Sequence, residues 1–527
     1  MTAITGAHFI AGEESREGRN IFTGVNPRTG ERSTVQFADA TPDEIDRAIT
    51  EAKAAFEIVK AYPVEKLALF LETVAGEILR LGDVLLRTAD WETALGIPRL
   101  TGERERTCNQ LKAFAGYIRE GSHVDAIIDT GDPDIRRMLF PIGPVAVFGA
   151  GNFPFAFGVC GGDTASAWAA GCPVVVKGHP SHPQTSELFA RAVYGAIEKC
   201  GFPKGWFSLL QGAGEEVGKN IVLHPLLEAV GFTGSLRGGR ALFDMAESRP
   251  RPIPVYAEMG SINPMFITEG AIERRFESLA EELVNSITLG VGQFCTKPGV
   301  IFIPDTAPAK TFMKHVVAMM DRKPPGILLN GRIRKNLVHA VEQSLRIPGV
   351  KLLTGGKAVD DATAFENTVM VTDAATFLKH SELQQEHFGP VVLFVFCENA
   401  DEMRKIAARL PGQLTGSIYA EKSEYHHMGP LFHELIQRVG RVILNGVPTG
   451  VRVCHAMQHG GPYPATTAPL TTSVGMTAIR RFLRPVAFQN VPDELLPEPL
   501  KNENRKGIMR LVNGRHTRDS ISAPPAE

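Results

Sequence analysis

Apolar residues recur at helical spacing in the first part of the chain. Ile45, Ile49 and Phe56 lie on one face of this pattern, shortly after the Thr-Pro-Asp-Glu segment at 41–44. Such a segment can form a capping box, and its proline suits the first helical turn. The pattern therefore predicts a helix over about residues 42–60. Similar spacing predicts two further helices, one over about 67–81 and one that carries Arg106 and Gln110.

From residue 144 onward, short β-branched runs replace the helical spacing. Four of them alternate with helical stretches, at 145–148, 174–176, 207–210 and 229–232. This alternation is typical of a parallel sheet with helices on both faces. Further runs predict a second sheet, at 255–257, 300–303, 391–396 and 442–444. The predicted fold class is α/β, with two doubly wound parallel-sheet domains, and the proline-rich, polar segment after Pro485 is expected to end as an exposed tail.

Composition narrows the class of partner. The chain has 527 residues, 43% of them hydrophobic and 22% charged, as in folded globular proteins. A net charge of −2 supplies no strong field for nucleic acid or an anionic membrane, so the expected partner is a small molecule. The seven cysteines lie far apart without a C-x-x-C pattern, and the first residues carry no secretory pattern. We therefore expect a cytoplasmic protein without a disulfide framework.

Polar residues follow the predicted strands at the positions where doubly wound sheets bind ligands. Asn152 follows the first run and Lys177 ends the second. An asparagine amide at this edge can donate a hydrogen bond to a developing oxyanion, and a lysine ammonium can bind an anionic ligand. The alternatives are a turn asparagine and a solvated surface lysine.

Small residues and a hydroxyl follow the fourth run. Gly234 and Ser235 lie between this run and a predicted helix, and Gly239 lies in the first turns of that helix. The free backbone N–H groups of a helix start can bind a phosphate. The segment lacks the G-x-G-x-x-G pattern of dinucleotide-binding folds, so a simple loop is the alternative.

Three further residues carry reactive groups. Glu258 follows the run at 255–257, Cys295 lies in the glycine-rich segment Gly-Val-Gly-Gln-Phe-Cys, and Glu386 precedes a very apolar strand. A thiol among glycines is more accessible than a core cysteine. The alternatives are a small buried hydrophobe and two solvated carboxylates. His455 and His459 lack an accompanying acidic or cysteine pattern, so we interpret them as structural and expect no metal site.

The order and spacing of these motifs resemble the aldehyde dehydrogenase superfamily across nearly the whole chain. The matching motifs are Asn152-Phe-Pro, Lys177, Phe-Thr-Gly234-Ser235, Glu258-Met-Gly, Gly-Gln-x-Cys295 and Glu386-x-Phe388-Gly-Pro. The resemblance implies that the protein oxidises an aldehyde to a carboxylate with NAD or NADP. It also implies that Cys295 attacks the aldehyde, that Asn152 and the Cys295 N–H hold the oxyanion, and that Glu258, with a raised pKa, activates water to hydrolyse the thioester.

The same resemblance implies the cofactor contacts. Lys177 and Glu386 would hold ribose hydroxyls, Ser235 at the helix start the pyrophosphate, and Phe388 the nicotinamide ring, with Gly234 and Gly239 beside them. Pro180 stands where most NAD-using members carry an acidic residue. NADP is therefore expected to be preferred over NAD, with His179 and His182 as candidates to favour its 2′-phosphate. Two other departures from the family pattern are Gly151, in place of an aromatic residue, and His459-Gly-Gly, in place of Phe-Gly-Gly.

The C-terminal motifs resemble one branch of the superfamily, which contains α-ketoglutaric semialdehyde dehydrogenases and NADP-dependent long-chain aldehyde dehydrogenases. Arg106 and Gln110 lie one turn apart on the helix that lines the substrate tunnel in this family. An arginine there suits a substrate carboxylate, so α-ketoglutaric semialdehyde (2,5-dioxopentanoate) is the favoured substrate and a medium- or long-chain fatty aldehyde the alternative. A solvated helix turn is the other interpretation of Arg106. Acyl transfer to coenzyme A is less favoured, since acyl-transferring relatives usually lack the Glu258 base.

The resemblance also implies a domain organisation and an oligomer. The expected parts are a cofactor-binding domain at 1–120 and 141–255, a catalytic domain at 256–467, an oligomerisation arm at 121–140 and 468–490, and a tail at 491–527. The arm would join a homodimer or a homotetramer.

Overall fold

A computed structural model describes residues 4–359 and 363–521. Its strands are β1 His8–Ile10, β2 Glu13–Ser15, β3 Ile21–Val25, β4 Arg32–Ala38, β5 Ile127–Asp129, β6 Ile135–Pro141, β7 Val145–Phe148, β8 Val174–Lys177, β9 Phe207–Leu210, β10 Ala229–Thr233, β11 Val255–Glu258, β12 Met265–Ile267, β13 Val300–Pro304, β14 Gly326–Ile327, β15 Lys351–Thr354, β16 Ala364–Phe365, β17 Thr368–Asp373, β18 Val391–Cys397, β19 Gln413–Tyr419, β20 Val439–Leu444, β21 Leu483–Gln489, β22 Arg510–Val512 and β23 Arg515–Thr517.

The α-helices are α1 Pro42–Val59, α2 Val64–Arg80, α3 Gly82–Thr93, α4 Ile97–Glu120, α5 Gly162–Ala170, α6 Pro183–Cys200, α7 Glu215–Leu223, α8 Leu236–Glu247, α9 Glu269–Thr288, α10 Ala307–Arg322, α11 Gly331–Leu345, α12 Ala374–Lys379, α13 Ala400–Ala407 and α14 Tyr425–Ile436. Short 3₁₀ helices occupy Ser122–Val124, Lys204–Trp206, Leu289–Gly292, Ser381–Gln384, Lys422–Glu424, Met476–Phe482, Asp493–Leu495 and Glu498–Leu500.

The first helix begins where the sequence predicts. The Thr41 hydroxyl accepts the Glu44 N–H, and the Glu44 carboxylate accepts the Thr41 N–H, so the capping box is complete. Ile45 and Ile49 lie on the buried face of α1. The helix that carries Arg106 and Gln110 is α4, and the additional helix α3 precedes it.

The first large sheet has the strand order β11-β10-β7-β8-β9-β1-β2. Its five strands from β11 to β9 are parallel, whereas β1 and β2 add antiparallel to one edge. The sequence assigned the run at 255–257 to the second sheet, and this was wrong, because β11 pairs in parallel with β10. Its short apolar run carries no signal for the sheet in which it lies, since pairing depends on contacts distant along the chain.

Alternate side chains of the first sheet face different helices, as strand geometry requires. Val145 and Val147 of β7 point into a core that also holds Phe70 of α2 and Trp168 of α5. Ala146 points to the opposite face, into the core formed with helices α1, α7 and α8. The sheet is therefore covered on both faces, and the predicted doubly wound α/β fold is confirmed.

The second large sheet has the order β15-β17-β18-β13-β12-β19-β20. All its neighbours pair in parallel except the edge strand β15, which is antiparallel to β17. Val300 and Phe302 of β13 face one core, and Ile301 and Ile303 face the other. Helices again cover both faces.

A separate five-stranded sheet has the order β21-β6-β5-β22-β23. The expectation of an exposed tail after Pro485 was wrong up to Ile521, because β22 pairs with β5 and Arg510 is only 1% exposed. Leu496 and Leu500 are also buried against this sheet. A proline-rich, polar composition misled the prediction because a few apolar residues are enough to anchor an added strand. The end of the predicted tail, 522–527, lies outside the described residues.

Three strands of the first sheet end at one edge and direct their following loops to the same place. The chain order reverses between β7 and its neighbours β8 and β10, which makes this the switch point of the sheet. Doubly wound sheets bind ligands in the crevice at such a point. Within the described residues, no helix is both long and apolar enough to cross a membrane.

Candidate active site

A thiol, an imidazole and a carboxylate meet beside this crevice. His459 Nε2 lies 3.5 Å from Cys295 Sγ and 2.9 Å from Glu258 Oε1. The other oxygen of Glu258 accepts a hydrogen bond from the Ser473 hydroxyl. Glu258 and His459 are 3% and 1% exposed, whereas Cys295 is half-buried. The thiol is therefore the accessible member of a buried network.

The segment before Cys295 turns sharply. Gly290, Val291 and Gly292 all have positive φ, and a Cβ on Gly292 would lie 2.2 Å from the Gly389 carbonyl oxygen. Only glycine permits that close approach, which packs the thiol-bearing loop against the turn that contains Glu386 and Phe388.

Asn263 fixes the same loop from the other side. Its amide donates to the carbonyl oxygens of Cys295 and Lys297, at 2.8 and 2.9 Å. The side chain is fully buried, and its Oδ1 accepts the hydroxyls of Ser261 and Thr415. The Cys295 backbone is therefore held by a side chain whose polar atoms all have partners.

Asn152 lies across the crevice from this loop. Its Nδ2 donates to the Gln293 carbonyl at 2.8 Å, and its own carbonyl accepts from Arg99 at 2.7 Å. The Arg99 guanidinium lies 4.8 Å from the ring centres of both Phe153 and Phe294. Since Nδ2 carries two hydrogens, one N–H remains for a further acceptor.

The crevice is a cavity of about 970 Å³. Its wall includes the predicted residues Asn152, Lys177, Pro180, Gly234, Ser235, Glu258, Cys295, Glu386 and Phe388. A cavity of this size, with polar groups concentrated at strand ends, suits a cofactor-sized ligand.

The strand ends supply both charge and free backbone groups. The Lys177 ammonium donates to the Gly212 carbonyl at 2.5 Å, and burial lowers its pKa to about 8. Ser235 caps α8, with its hydroxyl accepting the Gly238 N–H. A Cβ on Gly234 would lie 2.6 Å from the Phe232 ring, so only glycine keeps the backbone open at this helix start.

Glu386 faces a buried lysine. Burial raises the pKa of Glu386 to about 7, although the nearby Lys297 opposes that shift. Burial lowers the pKa of Lys297 to about 8, and its ammonium donates to the Val391 carbonyl at 2.6 Å. The two groups therefore titrate together near neutral pH.

A family model described as the aldehyde dehydrogenase family matches residues 14–463. The chain is 42% identical over 521 residues to "Alpha-ketoglutaric semialdehyde dehydrogenase 2" of Azospirillum brasilense, which covers 97% of this chain and 99% of that protein. It is 40% identical over 526 residues to "Alpha-ketoglutaric semialdehyde dehydrogenase" of Acinetobacter baylyi, with 98% and 99% covered. The chain belongs to the aldehyde dehydrogenase family. It is an oxidoreductase, and the enzymes of this family oxidise aldehydes to acids.

Solved structures of the family share the fold. Betaine aldehyde dehydrogenase from Staphylococcus aureus in complex with NAD+ aligns with a TM-score of 0.81 at 22% identity, covering 93% of this chain and 96% of that one. A 1-pyrroline-5-carboxylate dehydrogenase aligns with a TM-score of 0.80 at 22% identity, covering 92% of each chain.

Three residues predicted for this aldehyde dehydrogenase lie off the cavity wall. A Cβ on Gly239 would lie 2.7 Å from Met259 Sδ, so this glycine lets α8 approach β11. Arg106 and Gln110 lie on α4, where Arg106 packs 5.2 Å from the Phe157 ring centre and is close enough to Cys295 to affect the pKa of that thiol.

Two electrostatic expectations were wrong. Burial would raise the pKa of Glu258, but the neighbouring His459, the hydrogen bond from Ser473 and the nearby Cys295 outweigh it and lower that pKa. His182 is 1% exposed and stacks on His179, and burial lowers the pKa of both imidazoles, that of His182 to about 4. Neither histidine carries a positive charge at neutral pH.

The departure at Gly151 has a steric cause. A Cβ there would lie 2.5 Å from His179 Cε1 and 2.8 Å from Leu329 Cδ2. The His179 ring therefore fills the space next to Gly151, and no side chain fits at that position.

The sequence prediction missed three residues that shape the site: His459, Ser473 and Asn263. His459 was interpreted as structural, although its place in a His-Gly-Gly run where relatives have Phe-Gly-Gly was a signal. Ser473 and Asn263 carried no local signal. The segment that holds His459 and Ser473 reaches Glu258 because its Ala465 carbonyl accepts the Met259 N–H beside β11.

Proposed function

We propose that this enzyme oxidises α-ketoglutaric semialdehyde to 2-oxoglutarate, with NADP as the preferred cofactor. The names of the two relatives reported above, at 42% and 40% identity, support the substrate. The observation that carries the proposal is Arg106, a half-buried cation near the reactive thiol.

The surroundings of Arg106 suit a carboxylate. Its buried Nη1 has no hydrogen-bond partner among the described residues, and Gln110, one turn further along α4, also has a buried oxygen without one. Burial lowers the pKa of Arg106, while the nearby Glu103, Cys295 and Glu258 oppose that shift. A guanidinium keeps its charge even so, and a dry, unpartnered N–H is a strong donor to a substrate carboxylate.

Cys295 loses its thiol proton, and the resulting thiolate attacks the aldehyde carbonyl, forming a C–S bond and an oxyanion. The free Asn152 N–H and the Cys295 backbone N–H donate to this oxyanion. After oxidation leaves a thioester, the Glu258 carboxylate takes a proton from water, which attacks the thioester and releases the acid. The lowered pKa of Glu258 keeps it ionised for this step at neutral pH.

The cavity fits a nicotinamide dinucleotide. Ser235 and Gly234 leave backbone N–H groups of α8 open to a pyrophosphate, and Lys177 and Glu386 lie on the same wall for hydroxyl groups. The Phe388 ring covers one side of the cavity near the thiol loop and would orient the nicotinamide. When bound, the nicotinamide supplies the hydride acceptor.

The preference for NADP rests on charge at the cavity wall. Pro180 removes the carboxylate that would repel a 2′-phosphate. Arg332, also on the wall, is close enough to His179 to affect the pKa of that imidazole, and Asn330 donates to the Ser181 hydroxyl at 2.9 Å. Because the two histidines are uncharged, Arg332 is the cation that would bind the 2′-phosphate of NADP.

The substrate is tested with a matrix of kcat/KM for α-ketoglutaric semialdehyde, glutaraldehyde, succinic semialdehyde and decanal. We expect Arg106→Met to lower kcat/KM for the two carboxylate substrates about 100-fold and to leave decanal nearly unchanged. Arg104→Met, on the same helix with its guanidinium hydrogen-bonded to the Gly82 carbonyl, is the matched control. A large wild-type preference for decanal would contradict the proposal and favour a fatty aldehyde, for which the rings of Phe153, Phe157 and Phe294 would form the tunnel.

The cofactor is tested with kcat/KM for NADP and NAD. We expect Pro180→Glu to lower the value for NADP about tenfold or more, because a carboxylate would face the 2′-phosphate. Arg332→Met should lower it less and leave NAD unaffected. Equal values for both cofactors in the wild type would contradict the preference.

We also propose that the protein is a cytoplasmic homodimer or homotetramer joined by the arm at 121–140 and 468–490. The domain boundaries are those given above, except that residues 510–517 of the predicted tail add two strands to the sheet of the arm. The separate sheet that contains β6 and β21 supports the arm, and the seven free cysteines suit a reducing compartment. The mass of the enzyme in solution by light scattering tests the assembly, and a monomer would contradict it.

A further inference from the structure

His459 touches both reactive groups of the site with one atom. Its Nε2 lies 3.5 Å from Cys295 Sγ and 2.9 Å from Glu258 Oε1, and the three donor atoms all lie within 4.8 Å of one another. The residue is 1% exposed, so water does not compete for these contacts.

The backbone on both sides of the imidazole is fixed. The His459 N–H donates to the Thr472 hydroxyl at 2.8 Å, and its carbonyl accepts the Ser473 N–H at 2.8 Å. Ser473 in turn binds Glu258 through its hydroxyl. One short segment therefore sets the positions of both the imidazole and the carboxylate.

A base is needed beside this thiol. Burial raises the pKa of Cys295, and the neighbouring Glu258 raises it further. The Glu258 carboxylate cannot lower the pKa of this thiol, since thiolate and carboxylate would be like charges in a buried site. An imidazole between them can, because its protonated form carries a positive charge that stabilises both neighbours.

We propose that His459, in its neutral form with the ring proton on Nδ1, is a catalytic residue whose free Nε2 accepts the thiol proton of Cys295. The S–H bond breaks, an N–H bond forms at His459 Nε2, and the sulfur electron pair then forms the bond to the aldehyde carbon. Glu258 stabilises the imidazolium at 2.9 Å. The proton moves within the pair, so the step needs no other reactant.

Other charged groups face the thiol or the carboxylate from neighbouring elements. Arg106 of α4 and Arg441 of β20 act on Cys295, as does Glu386 in the turn before β18. Asp163 of α5 faces Glu258 and is paired with Arg481 at 2.7 Å. A change at His459 leaves all of them in place, so a shift in thiol reactivity reports on the imidazole.

The proposal rests on Cys295 as the proposed nucleophile, but its test needs neither substrate nor cofactor. The rate constant for alkylation of Cys295 by iodoacetamide is measured from pH about 6 to about 9.5, with the Cys295 peptide followed by mass spectrometry. The enzymes compared are the wild type, His459→Phe, His459→Gln and the matched control His455→Gln, which changes an exposed histidine of the same segment.

We expect both His459 variants to react at least about tenfold more slowly at pH 7, with the difference from the wild type narrowing as the pH rises toward about 9.5, whereas His455→Gln matches the wild type throughout. His459→Phe introduces the residue of the Phe-Gly-Gly run, and retained NADP binding by either variant confirms its fold. Equal rates at pH 7 would overturn the proposal, and so would an equal slowing at every pH, which indicates a steric effect alone. If the proposed substrate is wrong, the alkylation rates of the wild type and the His459 variants still differ as expected. The kcat/KM values then do not show the expected preference for α-ketoglutaric semialdehyde.

Discussion

The two ends of the active-site cavity differ in how tightly their side chains depend on one another. At the catalytic end, Cys295 and His459 form a hydrogen bond, and the same Nε2 of His459 lies 2.9 Å from Glu258 within a buried network. At the cofactor end, Lys177 and Ser235 contact mainly backbone groups, and each has its own partner. Changes at the catalytic end are therefore expected to be large and non-additive, and changes at the cofactor end small and nearly independent.

The largest expected effect is at Cys295. We expect Cys295→Ala to lower kcat at least about 10⁴-fold, because no other thiol lines the cavity among the described residues. The Kd for NADP, measured by fluorescence, should change little, since the cofactor end keeps all its contacts. Cys454→Ala, a half-buried cysteine, is the control and should retain full activity. Substantial activity in Cys295→Ala would remove the distinction between the two ends.

A smaller effect is expected at Asn152, which lies between the ends. Asn152→Ala removes an oxyanion donor and a hydrogen bond to the Gln293 carbonyl. We expect kcat to fall about 10²- to 10³-fold while the KM for NADP changes less than about threefold. A rise in KM without a fall in kcat would instead assign Asn152 to the cofactor end.

Ser235→Ala tests the cofactor end directly. Loss of the cap at the α8 N-terminus should raise the KM for NADP up to about tenfold and leave kcat unchanged, because a cap contributes about 1 kcal/mol. Ser248→Ala, at the opposite end of the same helix, is the matched control. An equal rise in both variants would show that the effect comes from helix stability and not from the cofactor.

The smallest expected effect is a pH dependence of cofactor binding. With a pKa of about 7, Glu386 is protonated at pH 6 and ionised at pH 8. Only the ionised form offers two acceptor oxygens to a ribose, so the KM for NADP should fall a few-fold as pH rises through 7. Glu386→Gln should make this profile flat. An unchanged profile in the variant would assign the titration to Lys297 or to another group.

Local patterns predicted the cofactor end better than the catalytic end. Lys177 and Ser235 follow strands that their own β-branched runs reveal, so parallel-sheet geometry alone brings them to one edge. Glu258, Cys295 and His459 come from three distant segments, and no spacing rule reveals that they meet. The resemblance to a family supplied the first two, whereas His459 departs from the family pattern and needed the structure.

The same difference explains the errors in the fold. The strand at 255–258 and the strand at 510–512 are short, and nothing in their own residues states which strand they pair with. Helix α1, in contrast, carries its start signal and its buried face within eighteen residues, and the prediction matched it. Features that depend on neighbours along the chain were predictable, and features that depend on distant pairing were not.

In the proposed reaction, oxidation passes through an acyl group on Cys295 that Glu258 helps to hydrolyse. Glu258→Gln, mixed with α-ketoglutaric semialdehyde and NADP and quenched in acid, tests it by mass spectrometry of the Cys295 peptide. We expect one burst of NADPH per active site and an acylated Cys295 peptide that persists in the variant and is short-lived in the wild type. A burst without an acylated peptide, or an acyl group on another cysteine, would contradict it.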